Sequence, residues 1–238
     1  GRMPAVEDIH SKVLTFKKDN NLFKDIKILI TAGSTREMID PVRFIGNKSS
    51  GKMAFALAGG ALNRGAKVTV IKGITTVSPP DGCKVINVIS SLDMLNAVKE
   101  NITDYDIFIA CAAVSDYRVA NQSHAKIKKD LQSNLVLNLI PNPDILAYVA
   151  NNYNIFTVGF AAETENVITN AKNKLINKKI KLIIANNVSD SSIGFESDYN
   201  EAYAISDDKE IKIERNTKTA VAQQILSIVY TNYSSTYA

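Results

Sequence analysis

Histidine and cysteine are almost absent from this 238-residue chain, with two of each. His10 and His124 stand apart and have no acidic neighbours at ligand spacing, so a metal site made of protein side chains is not expected. Cys83 and Cys111 are distant in sequence and neither has a C-x-x-C partner. That excludes a disulfide framework or zinc knuckle from the reading and fits a reducing compartment. The sequence also lacks a run of about eighteen apolar residues and a basic-then-apolar leader, so the protein is read as cytoplasmic, with no membrane partner. Internal repeats and low-complexity linkers are missing, which favours one domain over several.

Enough apolar sequence remains to build that domain. Hydrophobic residues make up 45% and charged residues 22% of the chain, so disorder is not the default. The net charge of +4 favours anionic ligands. The basic runs KIKK (126–129) and KNKLINKKIK (172–181) lack interleaved aromatics, however, and nucleic acid is not the expected partner.

Apolar, β-branched runs recur at 26–31, 67–71, 84–89, 106–114, 155–160 and 181–185, and read as buried strands. Helical patterns lie between or after them at 52–64, 92–100, 143–151, 165–178 and 217–230. This alternation predicts an α/β protein, a three-layer Rossmann-like fold with a mainly parallel sheet. EAYAIS and EIKIER flank the turn DDK and predict a C-terminal hairpin at a sheet edge. The polar end YTNYSSTYA reads as a tail, placed at 232–238.

One connection is anomalous. About twenty residues, Ala32 to Gly51, separate the first strand from its helix, where about two to six are typical. Small residues sit at both ends of the excursion: Gly33, Ser34 and Thr35, then Ser49, Ser50 and Gly51. A helix opening there would offer backbone N–H groups to an anion. The stretch GNKSSGKM (46–53) imitates a P-loop, but Met53 stands where a magnesium-binding hydroxyl belongs, and the strand ends some fifteen residues too early. A helix start capped by Ser49 or Ser50 explains the pattern equally well. TAGSTRE carries no G-x-G-x-x-G and no Y-x-x-x-K occurs, so hydride transfer is a poor fit.

The segment ITAGSTREMIDPVRFIGNKSSGKMAFALA (30–58) closely resembles the signature of phosphopantothenoylcysteine synthetases, the ligases of coenzyme A biosynthesis that in bacteria are commonly fused to a flavin-dependent decarboxylase. The resemblance continues at ACAAVSDYR (110–118), KIKK (126–129), NPDILA (142–147), VGFAAET (158–164), Lys174 and Lys178, and ANNV (185–188). It implies a CTP-dependent ligase that joins 4′-phosphopantothenate to L-cysteine through an acyl cytidylate, with Mg2+ as counterion of the nucleotide. FMN is implied only for a missing decarboxylase half. The opening GRMPAVEDI is similar to the end of that half, so residues 1–25 are expected to be a linker and 26–231 the synthetase domain. A homodimer is implied, and a larger assembly in the fused form.

Site roles follow from the same resemblance. Asn47 matches the asparagine that processes the acyl-nucleotide intermediate, with a turn asparagine as the plain alternative. Gly33, Ser49 and Gly51 match positions around the triphosphate. Ala112 and Asp116 are assigned to the nucleotide and Ala113 and Asn186 to the substrate, although Asp116 could equally cap a turn. Lys126 would bring a mobile cation to the phosphates, or belong to a solvated charge run. Asn142, Pro143, Asp144 and Ile145 are assigned to base and ribose, but Asn142-Pro143 also reads as a helix N-cap followed by a first-turn proline. Phe160 would stack on the base or pack in the core. Lys174 and Lys178 are spaced i, i+4, a repulsive pair that an anion would relieve. Two departures from the pattern are Ala54, where glycine is common, and Asn187, where aspartate is frequent. Without the resemblance, a P-loop-like phosphotransferase or a nucleotide-binding scaffold module stays open.

Overall fold

A computed structural model describes residues 21–129, 134–187 and 197–237. The elements in chain order are β1 (Lys27–Ala32), β2 (Arg36–Met38), β3 (Phe44–Gly46), α1 (Lys52–Leu62), β4 (Lys67–Lys72), β5 (Lys84–Asn87) and α2 (Ser91–Asn101). They continue with β6 (Ile107–Ala110), β7 (Tyr117–Val119), β8 (Leu139–Pro141), α3 (Ile145–Asn152), β9 (Phe156–Glu163) and α4 (Val167–Lys178). β10 (Leu182–Asn187), β11 (Tyr199–Ile205), β12 (Glu210–Thr217) and α5 (Lys218–Tyr237) complete the described chain.

Eight strands form one sheet in the order β12-β11-β10-β9-β6-β1-β4-β5, parallel from β10 to β5 and closed at one edge by the antiparallel β11–β12 hairpin. The expected α/β architecture and edge hairpin are therefore present. The strands read as near-continuous apolar runs because both of their faces are covered. Ile28, Ile30, Ile107, Ile109, Phe156, Val158, Leu182 and Ile184 face α1 and α5, while Leu29, Phe108, Ile183 and Ala185 face α2, α3 and α4. Each apolar stripe meets a helix face at the matching period, which is what holds the three layers together.

Chain direction across the sheet reverses between β1 and β6: β1, β4 and β5 step one way, and β6, β9 and β10 the other. The connections leaving β1 and β6 therefore part from each other at the carboxyl edge and leave a crevice, the usual ligand position in such sheets.

The differences from the sequence reading have local causes. The Ala32–Gly51 excursion contains a small hairpin, β2–β3, with Arg36 stacked over Phe44 at 4.2 Å. The fourth apolar run leaves the sheet after Ala110, because the Ala112 N–H donates to Thr31 Oγ1 and the Ala113 N–H to the Gly33 carbonyl. The expected tail continues α5 to Tyr237: Tyr233 packs edge-on against Phe156, and Ser235 and Thr236 hydroxyls bond carbonyls one turn earlier. Phe23, assigned to the linker, is fully buried against Tyr230 and belongs to the core. The rest of the linker reading, residues 1–20 with His10, lies outside the described residues. No helix among the described residues is long and apolar enough to cross a membrane.

Candidate active site

Hydrogen bonds across the switch point shape the crevice. Beyond the last paired residues of β1 and β6, the two loops remain stitched: Ala113 N–H to Gly33 C=O at 2.8 Å, Ser115 N–H to Thr35 Oγ1 at 3.0 Å, and Asn47 Nδ2–H to Val114 C=O at 3.0 Å. Asn47 is therefore held by one amide proton, with its oxygen and second proton left for other work. The resulting cleft has a volume of about 750 Å³.

Residues 47–54 of the excursion and α1, residues 110–116 after β6, and residues 142–146 at the start of α3 form its walls, closed by Phe160, Lys174, Lys178, Asn186, Asn200 and Lys218. Fourteen of the sixteen sequence-assigned residues thus share one cleft: Asn47, Ser49, Gly51, Ala112, Ala113, Asp116, Asn142, Pro143, Asp144, Ile145, Phe160, Lys174, Lys178 and Asn186.

The two exceptions are Gly33 and Lys126, which do not line it. Gly33 has φ +78°, and a Cβ there would lie 2.5 Å from the Ile74 carbonyl oxygen. Its glycine is required by this backbone approach, independently of any ligand. Lys126 sits on the β7–β8 connection, whose neighbouring Ile127 is clamped from both sides: its N–H donates to Asp40 Oδ2 at 3.1 Å and its carbonyl accepts from Arg43 Nη2 at 3.1 Å. Asp40 is completely buried and also accepts from Arg43 Nη2 at 2.6 Å and from the Val42 and Arg43 N–H groups. The Arg43 guanidinium, aided by these N–H donors, holds the Asp40 carboxyl well below the ordinary carboxylate range.

Three local expectations are corrected. Neither Ser49 nor Ser50 caps α1 in the usual way: the cap is Gly51 in the left-handed region without a side-chain cap bond, and Ser50 Oγ accepts from the Lys52 N–H at a long 3.4 Å. Asn142 does not cap α3, because Asp144 does so through Ala147 N–H at 2.9 Å. Asn142 instead braces two walls, its amide donating to the Ser115 carbonyl at 2.8 Å and its oxygen accepting from Arg118 at 3.0 Å. Finally, Lys174 and Lys178 are not an uncompensated pair. Lys174 Nζ lies 2.6 Å from Glu163 and Lys178 Nζ 2.8 Å from Asp144, so carboxylates already balance the repulsion from which an anion was inferred.

Sequence reasoning passed over Lys48, Lys52, Cys111, Asn200 and Lys218, all on the cleft. Lys52 ion-pairs with Asp198 at 2.6 Å. Lys218 opens α5 nearly 170 residues later, and only the packing of α1 on α5 brings it in. Burial, then the nearby Lys52 charge, push the Lys218 ammonium below the usual lysine range. Burial likewise pushes the Cys111 thiol up to about 12. In all, five lysines and two aspartates line the cleft. No cluster of three or more His, Cys, Asp or Glu residues poised for a metal occurs among the described residues. A divalent ion here would take most of its ligands from a bound phosphate chain and water.

Fold and cleft together define an α/β domain whose chemistry lies at the switch point of a parallel sheet and is cationic and rich in backbone donors. The chain belongs to the DNA/pantothenate metabolism flavoprotein C-terminal domain family, whose model matches residues 23–233. It is 42% identical over 225 residues to the coenzyme A biosynthesis bifunctional protein CoaBC of Escherichia coli K12, covering 93% of this chain and 55% of that protein. The Haemophilus influenzae CoaBC is 40% identical over 238 residues, covering 99% and 59%. The chain thus spans a little over half the length of these relatives. Among solved structures, the C-terminal domain of a CoaBC superposes with a TM-score of 0.77 at 36% identity, over 90% of this chain and 99% of that one.

Proposed function

We propose that this chain is a ligase of coenzyme A biosynthesis that joins 4′-phosphopantothenate to L-cysteine at the expense of CTP. In the first step a carboxylate oxygen of phosphopantothenate bonds to the α-phosphorus of CTP while the bond to pyrophosphate breaks. In the second, the cysteine amine bonds to the acyl carbon and CMP leaves, giving 4′-phosphopantothenoylcysteine. Both steps gather negative charge on phosphate and carbonyl oxygens, and neither needs a strong side-chain base. The observation that carries the reading is the convergence of Asn47, Ser49, Gly51, Ala112, Ala113, Asp116, the 142–145 turn and Asn186 on one lysine-rich cleft in a relative of CoaBC.

Asn47, pinned through Val114, would hold the acyl-nucleotide carbonyl for attack by the amine. Phe160 lines the cleft while packing partly on the core, so its ring can lie against a base. Lys174 and Lys178 would meet phosphate or ribose oxygens by exchanging their carboxylate partners. Mg2+ would arrive with CTP, and Lys126 would reach in from the loop anchored by Asp40. A homodimer fits the exposed apolar side chains on the two small hairpins and the segment leading into β8, namely Val42, Phe44, Tyr117, Leu135, Val136 and Leu139.

The test is Asn47→Ala. It is expected to keep phosphopantothenate-dependent pyrophosphate release within a few-fold while amide formation falls by about a hundredfold, the size of effect typical for one oxyanion donor. Equal loss of both steps would assign Asn47 to binding and remove it from the second step.

A further inference from the structure

Asn47 is held at the cleft through Val114, but it follows directly on β3, and β3 is a short strand with little to rest on. Two of its three residues are exposed, and among the described residues it pairs with β2 alone, in the register Arg36–Gly46, Glu37–Ile45 and Met38–Phe44. The fit is close next to Asn47: a Cβ on Gly46 would lie 2.8 Å from the Thr35 carbonyl oxygen. The placement of Asn47 is therefore inherited from β2.

β2 is tied at its entry, at the turn that follows it and at its middle. Ser34 exchanges hydrogen bonds with Ile74, and Thr35 Oγ1 accepts the Ser115 N–H. At the turn, the Ser123 N–H donates to the Ile39 carbonyl and the Ile127 N–H to Asp40. In the middle, β2 meets the start of α2: the Arg36 N–H donates to the Ile89 carbonyl at 2.8 Å, and Glu37 Oε1 accepts the Ser91 N–H at 2.9 Å.

Glu37 is only 3% exposed. α2 does not require it as a cap, because Ser90 and Asp93 already form a complete capping box and Asp93 supplies a carboxylate to the first turn. An apolar side chain would fill the same space without the cost of burying a carboxylate. What the carboxylate adds is direction: a hydrogen bond to a helix N-terminus, strengthened by the helix dipole, fixes how β2 lies on α2.

We infer that Glu37 is a positioning residue, whose bond to the start of α2 sets the β2–β3 hairpin and through it the reach of the Asn47 amide. The part Asn47 plays in amide formation rests on the ligase reading; the mechanical link from Glu37 to Asn47 does not.

The link is measured by NMR on the 15N-labelled full chain, with the Asn47 side-chain amide pair assigned by its disappearance in Asn47→Asp. Glu37→Ala should move that pair toward the shifts of a free asparagine amide and speed its exchange with water severalfold. Glu37→Gln, whose carbonyl can accept the same N–H, should leave it near the wild-type position. Should the alanine variant fail to fold, Glu37→Asp, too short to reach Ser91, takes its place with the same expected shift. Tyr105→Phe removes a hydrogen bond to Thr69 Oγ1 ahead of β6, at the end of the sheet away from the cleft, and should leave the Asn47 signals in place whatever it costs in stability.

In turnover, Glu37→Ala should lower amide formation about ten- to a hundredfold, the loss expected for a misplaced group, with KM for CTP and L-cysteine within about twofold of the wild type. The double variant Glu37→Ala/Asn47→Ala should form amide no more slowly than Asn47→Ala alone, since the first change acts through the second residue. An unmoved Asn47 signal in Glu37→Ala, or losses that multiply in the double variant, overturns the inference even if ligation occurs. A shifted signal in a chain that forms no amide would uphold the link and remove the ligase reading.

Discussion

Gly33 offers a clean separation between a residue that touches ligand and one that shapes the wall. Its alanine variant would hold a side chain at φ +78°, with Cβ 2.5 Å from the Ile74 carbonyl oxygen and 2.7 Å from Thr75 Cγ2. The left-handed conformation alone costs an alanine about 1–2 kcal/mol. Relieving the clash means parting Ser34 from Ile74, which exchange hydrogen bonds of 2.9 and 2.8 Å. Those two bonds add about 0.5–1.5 kcal/mol each, so the total loss is about 2–5 kcal/mol. For a chain of this size that lowers Tm by about 5–15 °C.

Gly82 is the matched control. Its φ is +89°, yet the nearest atoms to a new Cβ are the Leu62 methyls at 4.0 Å, so Gly82→Ala should show the conformational cost alone. Thermal unfolding followed by circular dichroism compares them. If Gly33→Ala melts no lower than Gly82→Ala, the steric account is wrong, because the two broken hydrogen bonds should separate them by about 2–12 °C. Nucleotide affinity, measured on folded Gly33→Ala, should fall along with stability, since the Gly33 carbonyl holds Ala113. Loss of affinity at unchanged stability would return Gly33 to direct contact.

Two further outcomes follow from the electrostatics. Asp40→Asn should free the lysine run, so trypsin should cut after Lys126, Lys128 or Lys129 at least severalfold faster than in the wild type; an unchanged rate would show that the Ile127 clamp does not order the loop. Because the folded-state pKa of Asp40 is depressed, its contribution is fully present above the ordinary carboxylate value of about 4 and lost only as pH falls through the depressed one, so wild-type protection should persist at pH 5. Cys111, with its thiol pushed up to about 12, should resist iodoacetamide at pH 8, where about one molecule in ten thousand is thiolate. Lys218→Met should slow the reaction further by removing the one charge that favours the thiolate. Labelling at the rate of a free thiol would contradict the burial.

The sheet was legible in the sequence because its strands are covered on both sides and so carry continuous β-branched runs, as in KILITA and FTVGF. The cleft was legible chiefly through motif resemblance, since Asn47 meets Asp116 only through the β1–β6 pairing, and Asn142 meets Asp116 only through the β7–β8 hairpin. What stayed hidden was carried by tertiary geometry. Lys218 stands in no motif that marks it, and the repulsion read between Lys174 and Lys178 vanishes once Glu163 and Asp144 are placed opposite them. The polar end of the chain looked like a tail because its helix depends on two aromatic contacts, Tyr233 on Phe156 and Tyr237 on Tyr233, within a run of Ser, Thr and Asn that bond their own helix carbonyls.

The central claim is that this cleft activates a carboxylate with CTP and then delivers it to an amine. Its most direct test follows pyrophosphate and CMP separately with purified protein, Mg2+ and CTP. Pyrophosphate should appear only when 4′-phosphopantothenate is added, and CMP only when L-cysteine follows, one for each amide formed. Pyrophosphate release without the acid substrate, or a nucleoside diphosphate as product, would contradict it.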